Sequence, residues 1–335
     1  MSLLNAISVD EISSSGTITE TDVQALRRAY YDDGVIDAAE AETLFRLNQT
    51  CLKQDPAWAN CLVEMVTDHI VNQVKPEGYI TIDNANWLMA RIAPKGVIES
   101  KIELELLVTV IDKARWSPQG LVTFALEQVK HAVIDGIGPL RAGKVLPAGA
   151  INEAEVELLK RILYAYGGDG NIGITRAEAE VLFDIDAATS AQSNAASWSD
   201  LFVKAIANCV MTASGYAPPS REQALAQEGW LQRRGDLAPG AVLGAAIRGG
   251  VSSILAAYRS QNSVERAVAS LERQKIEIIT SEEVLVASAE WLAVHIGRSG
   301  QLTPNERALL AFVHANGTKV APELDVMMKR LRPAA

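Results

Sequence analysis

Along this chain the hydrophobic positions fall at helical rather than alternating spacing. Leu26, Ala29 and Tyr30, and then Leu44, Phe45 and Leu47, recur as one face of an α-helix does. No run of four to eight residues alternates in the way a half-buried strand would, so the pattern predicts an all-α fold.

Polar punctuation repeats as well. An Ile or Leu is followed by a helix-capping residue and, usually three positions after the cap, by an acid. This phrase opens at Ile18, Ile36, Ile80, Ile98, Ile151, Ile174, Ile279 and Leu302, which form four couples separated by 18, 18, 23 and 23 residues. Leu44, Leu106, Leu182 and Leu310 each stand eight positions after the second member of a couple. Trp87-Leu88 and Trp291-Leu292 precede Gly96 and Gly300 by the same distance. A further helical stretch begins near Trp58, Trp116 and Trp198.

These features predict four copies of a short-helix unit, packed as a helical array or bundle, over 17–75, 79–138, 149–214 and 278–331, the last shortened at its final helix. A tail, 1–16, precedes them, and an insertion, 215–277, interrupts them. Thr19, Asp37, Thr81, Asn152, Thr175, Thr280 and Thr303 are expected N-caps, each contributing on the order of 1 kcal/mol. The acid or Asn three residues later closes a capping box, and the preceding Ile or Leu acts as a staple. The second unit departs from the pattern, with Glu99 at the expected cap and its acid displaced to Glu103.

Composition narrows the function. Hydrophobic residues make up 48 % and charged residues 21 %, the balance of a folded chain. A net charge of −10 repels phosphate backbones and argues against nucleic acid as a partner. The N-terminal MSLLNAISVDEISSSG carries Asp10 and Glu11 and lacks the basic start of a signal peptide, which points to the cytoplasm. Cys51, Cys61 and Cys209 are odd in number, without C-x-x-C spacing, and read as reduced core thiols. His69, His131, His295 and His314 show no i, i+4 pairing, so no transition-metal motif emerges.

Within the insertion, residues 238–258 are apolar and rich in small side chains. They are long enough for a bilayer and contain Gly240 and Gly244 in G-x-x-x-G spacing. Arg248 at the centre would cost about 2.5 kcal/mol in a membrane, and Gly249-Gly250 would weaken the helix, so a buried helix is favoured. A membrane-surface role for 238–258 stays open.

The stretches YYDDGVIDAAEAETLF, GGDGNIGITRAEAEVLF and RSGQLTPNERALLAF resemble the D-G-x-I-x-x-x-E signature of bacterial tellurite-resistance TerB-like domains, and also degenerate EF-hand loops. The resemblance covers about a dozen residues per unit. It implies an all-helical domain whose acidic turns bind a divalent metal, here through Asp33, Asp37 and Glu40 in the first unit and Asp169, Asn171 and Glu178 in the third. Two donors of an EF-hand are missing from the first loop, where Ala29 and Tyr31 occupy ligand positions. In the third loop, Gly167 and Ile172 stand where a ligand and the turn glycine belong. Weak Ca or Mg sites at these turns, or capping alone, are the two readings of the acids; no other cofactor is expected.

No G-x-S-x-G, Walker loop, H-E-x-x-H or strand-borne G-x-G-x-x-G occurs, so no enzyme is expected. The favoured function is a non-enzymatic helical interaction scaffold of the TerB-like type with a protein partner. The alternatives are a divalent-metal-binding stress-response protein and a membrane-peripheral protein acting through 238–258.

Overall fold

The computed structural model describes residues 9–142, 148–165, 173–212 and 286–316. The chain is mostly helical. Contacts divide it into two units, whose described parts are 9–121 for the first and 122–142, 148–165, 173–212 and 286–316 for the second.

The first unit opens with α1 (Val9–Ser15), so a helix stands inside the expected tail, with Val9 and Ile12 buried. β1 (Thr17–Ile18) leads into α2 (Glu20–Asp33) and α3 (Ala38–Thr50). β2 (Lys53–Gln54) then pairs with β1 in parallel, Thr17 opposite Lys53 and Ile18 opposite Gln54. α4 (Pro56–Asp68) follows and ends in a π turn, His69–Gln73. The next segment repeats this order with α5 (Ile82–Ile92), α6 (Lys101–Lys113) and α7 (Gln119–Lys130), which ends in a second π turn, His131–Asp135. A single parallel bridge between Tyr79 and Trp116 stands where the β1–β2 pair stood. Trp116 therefore lies in the bridge and does not start the helix. Trp58 and Trp198 are the third residues of their helices, and the third residue of α7 is Leu121.

The second unit continues from within α7 through α8 (Glu153–Leu163), α9 (Arg176–Thr189), α10 (Ala196–Thr212), α11 (Val286–His295) and α12 (Pro304–Asn316). In each segment we call the first phrase-led helix the opening helix, the second the middle helix and the next the closing helix.

Helix starts follow the local chemistry. Asp37–Glu40, Asn152–Glu155 and Thr175–Glu178 are reciprocal capping boxes. Thr19 with Asp22, and Thr303 with Glu306, make the same pair of bonds, and Thr81 accepts from Asn84 N–H at 3.2 Å. In the second segment the cap is Ser100 rather than Glu99: its hydroxyl accepts from Ile102 N–H at 3.2 Å, and Glu103 accepts from the Ser100 N–H. The whole cap has moved by one residue, so Glu103 is in register and Glu99 turns outward to Lys95. Counted from the cap, the partner of Leu44, Leu182 and Leu310 becomes Leu107 rather than Leu106, and both of these are fully buried. Thr280 lies outside the described residues.

One packing relation recurs. α4 packs along α6, the π turn at the end of α7 packs on α9, and α10 packs along α12: a closing helix against the next middle helix. Large buried side chains fill these layers, among them Trp58, Phe45 and Leu62 in the first unit and Trp198, Phe183 and Phe202 in the second.

Candidate functional site: the capped turns and the joints they face

In the first unit the turn before α3 is held from the far end of α4. Ile36 N–H donates to Gln73 Oε1 at 2.6 Å, and His69 Nδ1 donates to the Ile36 carbonyl at 2.6 Å. Gln73 Nε2 also donates to the Gly34 carbonyl at 3.2 Å. In the second unit Asn208 of α10 plays this part, its Oδ1 accepting from Ile174 N–H at 2.7 Å. These clamps span 33–39 residues of sequence and leave no local signal.

Asp37 Oδ1 accepts from Glu40 N–H at 2.8 Å, and Glu40 Oε2 accepts from Asp37 N–H at 3.0 Å. Glu178 Oε2 accepts from Thr175 N–H at 2.8 Å. Glu40 and Glu178 are both buried, and burial pushes the Glu178 carboxyl up against the opposing pull of the Thr175 hydrogen bonds. The structure thus joins Asp37 to Glu40, and Glu178 to Thr175, as caps. The Asp33 side chain, Asp169 and Asn171 lie outside the described residues. Among the described residues no group of three or more His, Cys, Asp or Glu is placed to hold a metal ion.

The remaining chemistry-bearing groups are also engaged. All three cysteines are free and buried. Burial pushes the Cys61 thiol up to about 11 and the Cys209 thiol to about 12, which keeps both protonated and poor as nucleophiles. His131 Nδ1 is 2.9 Å from Asp135 Oδ2, and His295 Nδ1 donates to the Trp291 carbonyl at 2.8 Å. Arg141 and Glu155 form a buried ion pair at 2.9 Å, and Arg141 also donates to the Ala150 carbonyl at 2.7 Å. That pair ties the loop after α7 to the start of α8.

The middle helices of the first and third segments carry a face read by the segment that follows. On α3, Glu42 accepts from Trp87 Nε1 at 2.7 Å and from Arg91 Nε at 2.8 and 2.9 Å, and Phe45 meets Trp87 edge to face at 5.5 Å. On α9 the same spacing gives Glu180 facing His295 at 3.6 Å and Phe183 edge to face with Trp291 at 6.0 Å. One turn further on, Asn48 donates to Glu103 at 3.5 Å and accepts from Trp58 Nε1 at 3.1 Å. Its counterpart Asp186 accepts from Asn305 Nδ2 at 2.6 Å and from the hydroxyl of the Thr303 cap.

The capping glycine was another signal in plain view. Gly16, Gly34, Gly78, Gly96, Gly149 and Gly300 each stand two residues before a phrase and have positive φ. At Gly78 a side chain would both strain the backbone and press on Arg115, 3.0 Å from the added carbon.

No helix among the described residues is long and apolar enough to cross a membrane, and residues 238–258 lie outside them. Compared with models of protein families, with curated proteins and with solved structures, the chain matches none.

Proposed function

We propose that this protein is a non-enzymatic helical interaction scaffold built from four TerB-like repeats arranged as two successive pairs, acting in the cytoplasm on a protein partner. The observation that carries the reading is the recurring joint: a closing helix on the next middle helix, with Phe45 and Trp87 in one pair answered by Phe183 and Trp291 in the other. Stacked units of this kind hold an extended surface in fixed shape, which suits recognition of another macromolecule. The burial of Glu40, Glu155, Glu178 and Glu306 supports the same reading, because these acids hold helix starts away from solvent, although Asp37 itself is exposed.

The test is thermal melting of the full chain with calcium, magnesium, zinc or chelator, run beside affinity capture with and without chelator. The scaffold reading expects an unchanged melting temperature and a partner retained in chelator. A rise with metal that disappears in Asp33→Ala with Asp169→Ala would replace it with the divalent-metal reading. Cosedimentation with vesicles, lost on deletion of 238–258, would replace it with the membrane-peripheral one.

A further inference from the structure

Buried glutamates hold helix starts in every segment, and they differ in how fully donors meet the carboxylate. At Glu306 the N–H groups of Thr303 and Gly297 donate at 2.8 and 3.1 Å. Glu155 accepts from Asn152 N–H at 3.0 Å and is paired with Arg141. Glu178 receives both the N–H and the hydroxyl of Thr175. Glu103 is met by less. Besides the Ser100 N–H it has Asn48 Nδ2, at 3.5 Å, beyond the usual range of a hydrogen bond. That amide is fixed from its other side, where Asn48 Oδ1 accepts from Trp58 Nε1 at 3.1 Å and Gln54 Nε2 at 3.3 Å. The donor that Gly297 supplies to Glu306 has no equivalent. Counted back from the cap, its place is taken by Pro94, which has no N–H; counted from the turn glycine, by Ala93, whose N–H is spent on the Met89 carbonyl.

The charged groups of the surrounding elements are committed elsewhere. On α3, Glu40 holds the Asp37 cap, Glu42 is bound to Trp87 and to Arg91 of α5, and Arg46 is exposed. On α4, Glu64 is paired with Arg27 and Asp68 meets Asn72 and Gln73, while His69 of the π turn donates to the Ile36 carbonyl. Lys53 of β2 and Asp83 of α5 are exposed. Within α6 itself Lys101 is exposed and Glu105 faces Thr109. The charge that acts on Glu103 is that of Glu99, which has the same sign. An ionised carboxylate buried in this setting is costly. Burial first, with Glu99 adding to it, accordingly pushes Glu103 up to about 7. Relief is close at hand. The first turn of α6 carries the exposed Lys101 and the half-buried Ile102, and the fully buried Leu106 and Leu107 lie beyond it.

We propose that Glu103 is a proton-operated latch on the joint between α3 and α6: protonated, it lies against Asn48 and holds the first turn of α6 in place; ionised, it turns to solvent and releases that turn while the rest of the first unit stays folded. The sign follows from the two states. The open turn has the ordinary carboxyl value near 4.5 and the closed turn about 7, so opening grows as pH rises between these values and levels off above them. The surface presented at this joint therefore changes with pH just below neutrality. The latch stands on the geometry of the joint and does not depend on the identity of any partner.

Hydrogen exchange on the full chain, read by mass spectrometry at about pH 5.5 and about pH 8 and corrected for intrinsic rates, tests the latch. The amides of Leu104 to Leu107 bond to the carbonyls of the first turn, beginning with Leu104 on Ser100 at 3.1 Å. In the parent their protection should fall on the order of tenfold or more at the higher pH, while the amides of α2 keep theirs. Glu103→Gln, neutral at both pH values, should stay protected at both. Protection in the parent that ignores pH overturns the proposal, as does a pH-dependent loss that survives in Glu103→Gln. An equal loss across α2 overturns it too, because the proton would then act on the whole unit and not on one turn. A Glu103→Gln chain that loses helicity counts against it in the same way, since a neutral side chain is what the closed latch holds. An independent readout is the carbon-13 shift of the Glu103 carboxyl in the parent: titration near 7 is expected, and titration near 4.5 overturns the latch.

Discussion

The two joints, α3 with the second segment and α9 with the fourth, share a frame and differ in charge. Phe45 and Phe183 each take an edge-to-face tryptophan, and Glu42 and Glu180 each face a basic side chain. At the next turn the first joint has the neutral Asn48 against the buried Glu103, whereas the second has the buried Asp186 against Thr303 and Asn305. Glu306, in the register of Glu103, is buried as well, so the second joint carries one more buried carboxylate than the first. Packing at these joints is therefore set by shape, while a further buried carboxylate is accommodated where donors meet it.

The largest expected effect tests the shared frame. Phe45→Ala and Phe183→Ala should each cost about 3–5 kcal/mol through the cavity left behind. In denaturant titration each should lower the transition of its own unit; equal shifts in both transitions from one substitution would show the units to be a single cooperative body.

The next tests the difference. Asn48→Asp puts a second carboxylate beside Glu103 and should destabilise the first unit by about 2 kcal/mol or more at neutral pH. The reciprocal Asp186→Asn should stabilise the second unit at neutral pH, because burial raises the Asp186 carboxyl against the pull of Thr303, Asn305 and Trp198. No gain in melting temperature for Asp186→Asn would mean that the charge is fully compensated by its donors.

A smaller effect is gated by pH. Burial first, and the charge of Glu99 with it, pushes Glu103 up to about 7, while the Ser100 N–H and Asn48 pull the other way. A carboxyl raised above its unfolded value stabilises the fold fully below that value, near 4.5, and loses the contribution as pH climbs through 7. The first unit should therefore melt lower at about pH 8 than at about pH 5.5, and Glu103→Gln should flatten that slope relative to the parent. The smallest effect is at the rim: Arg91→Ala removes a half-exposed pair with Glu42 and should cost roughly 0.5–1 kcal/mol, less at high salt.

Much of this was readable before any coordinates. Six of the seven expected caps, Thr19, Asp37, Thr81, Asn152, Thr175 and Thr303, start helices, since a cap satisfies orphan N–H groups within three residues of itself. Glu99 failed as a cap because Ser100 is the better acceptor one residue on. The clamps from Gln73, His69 and Asn208 were not readable, nor was the role of Asn48 and Asp186, because these bonds join residues 33 or more apart, save those of Asn48 to Gln54 and Trp58 and of Asp186 to Trp198.

The amino-acid sequence by itself determined where helices begin and that the chain would be helical, because capping, turn glycines and apolar spacing act over a few residues. Only the tertiary structure decided which acids lie in the interior and which donors meet them there. Desolvation and hydrogen-bond donors come from elements remote in the chain, and no local pattern carries that information.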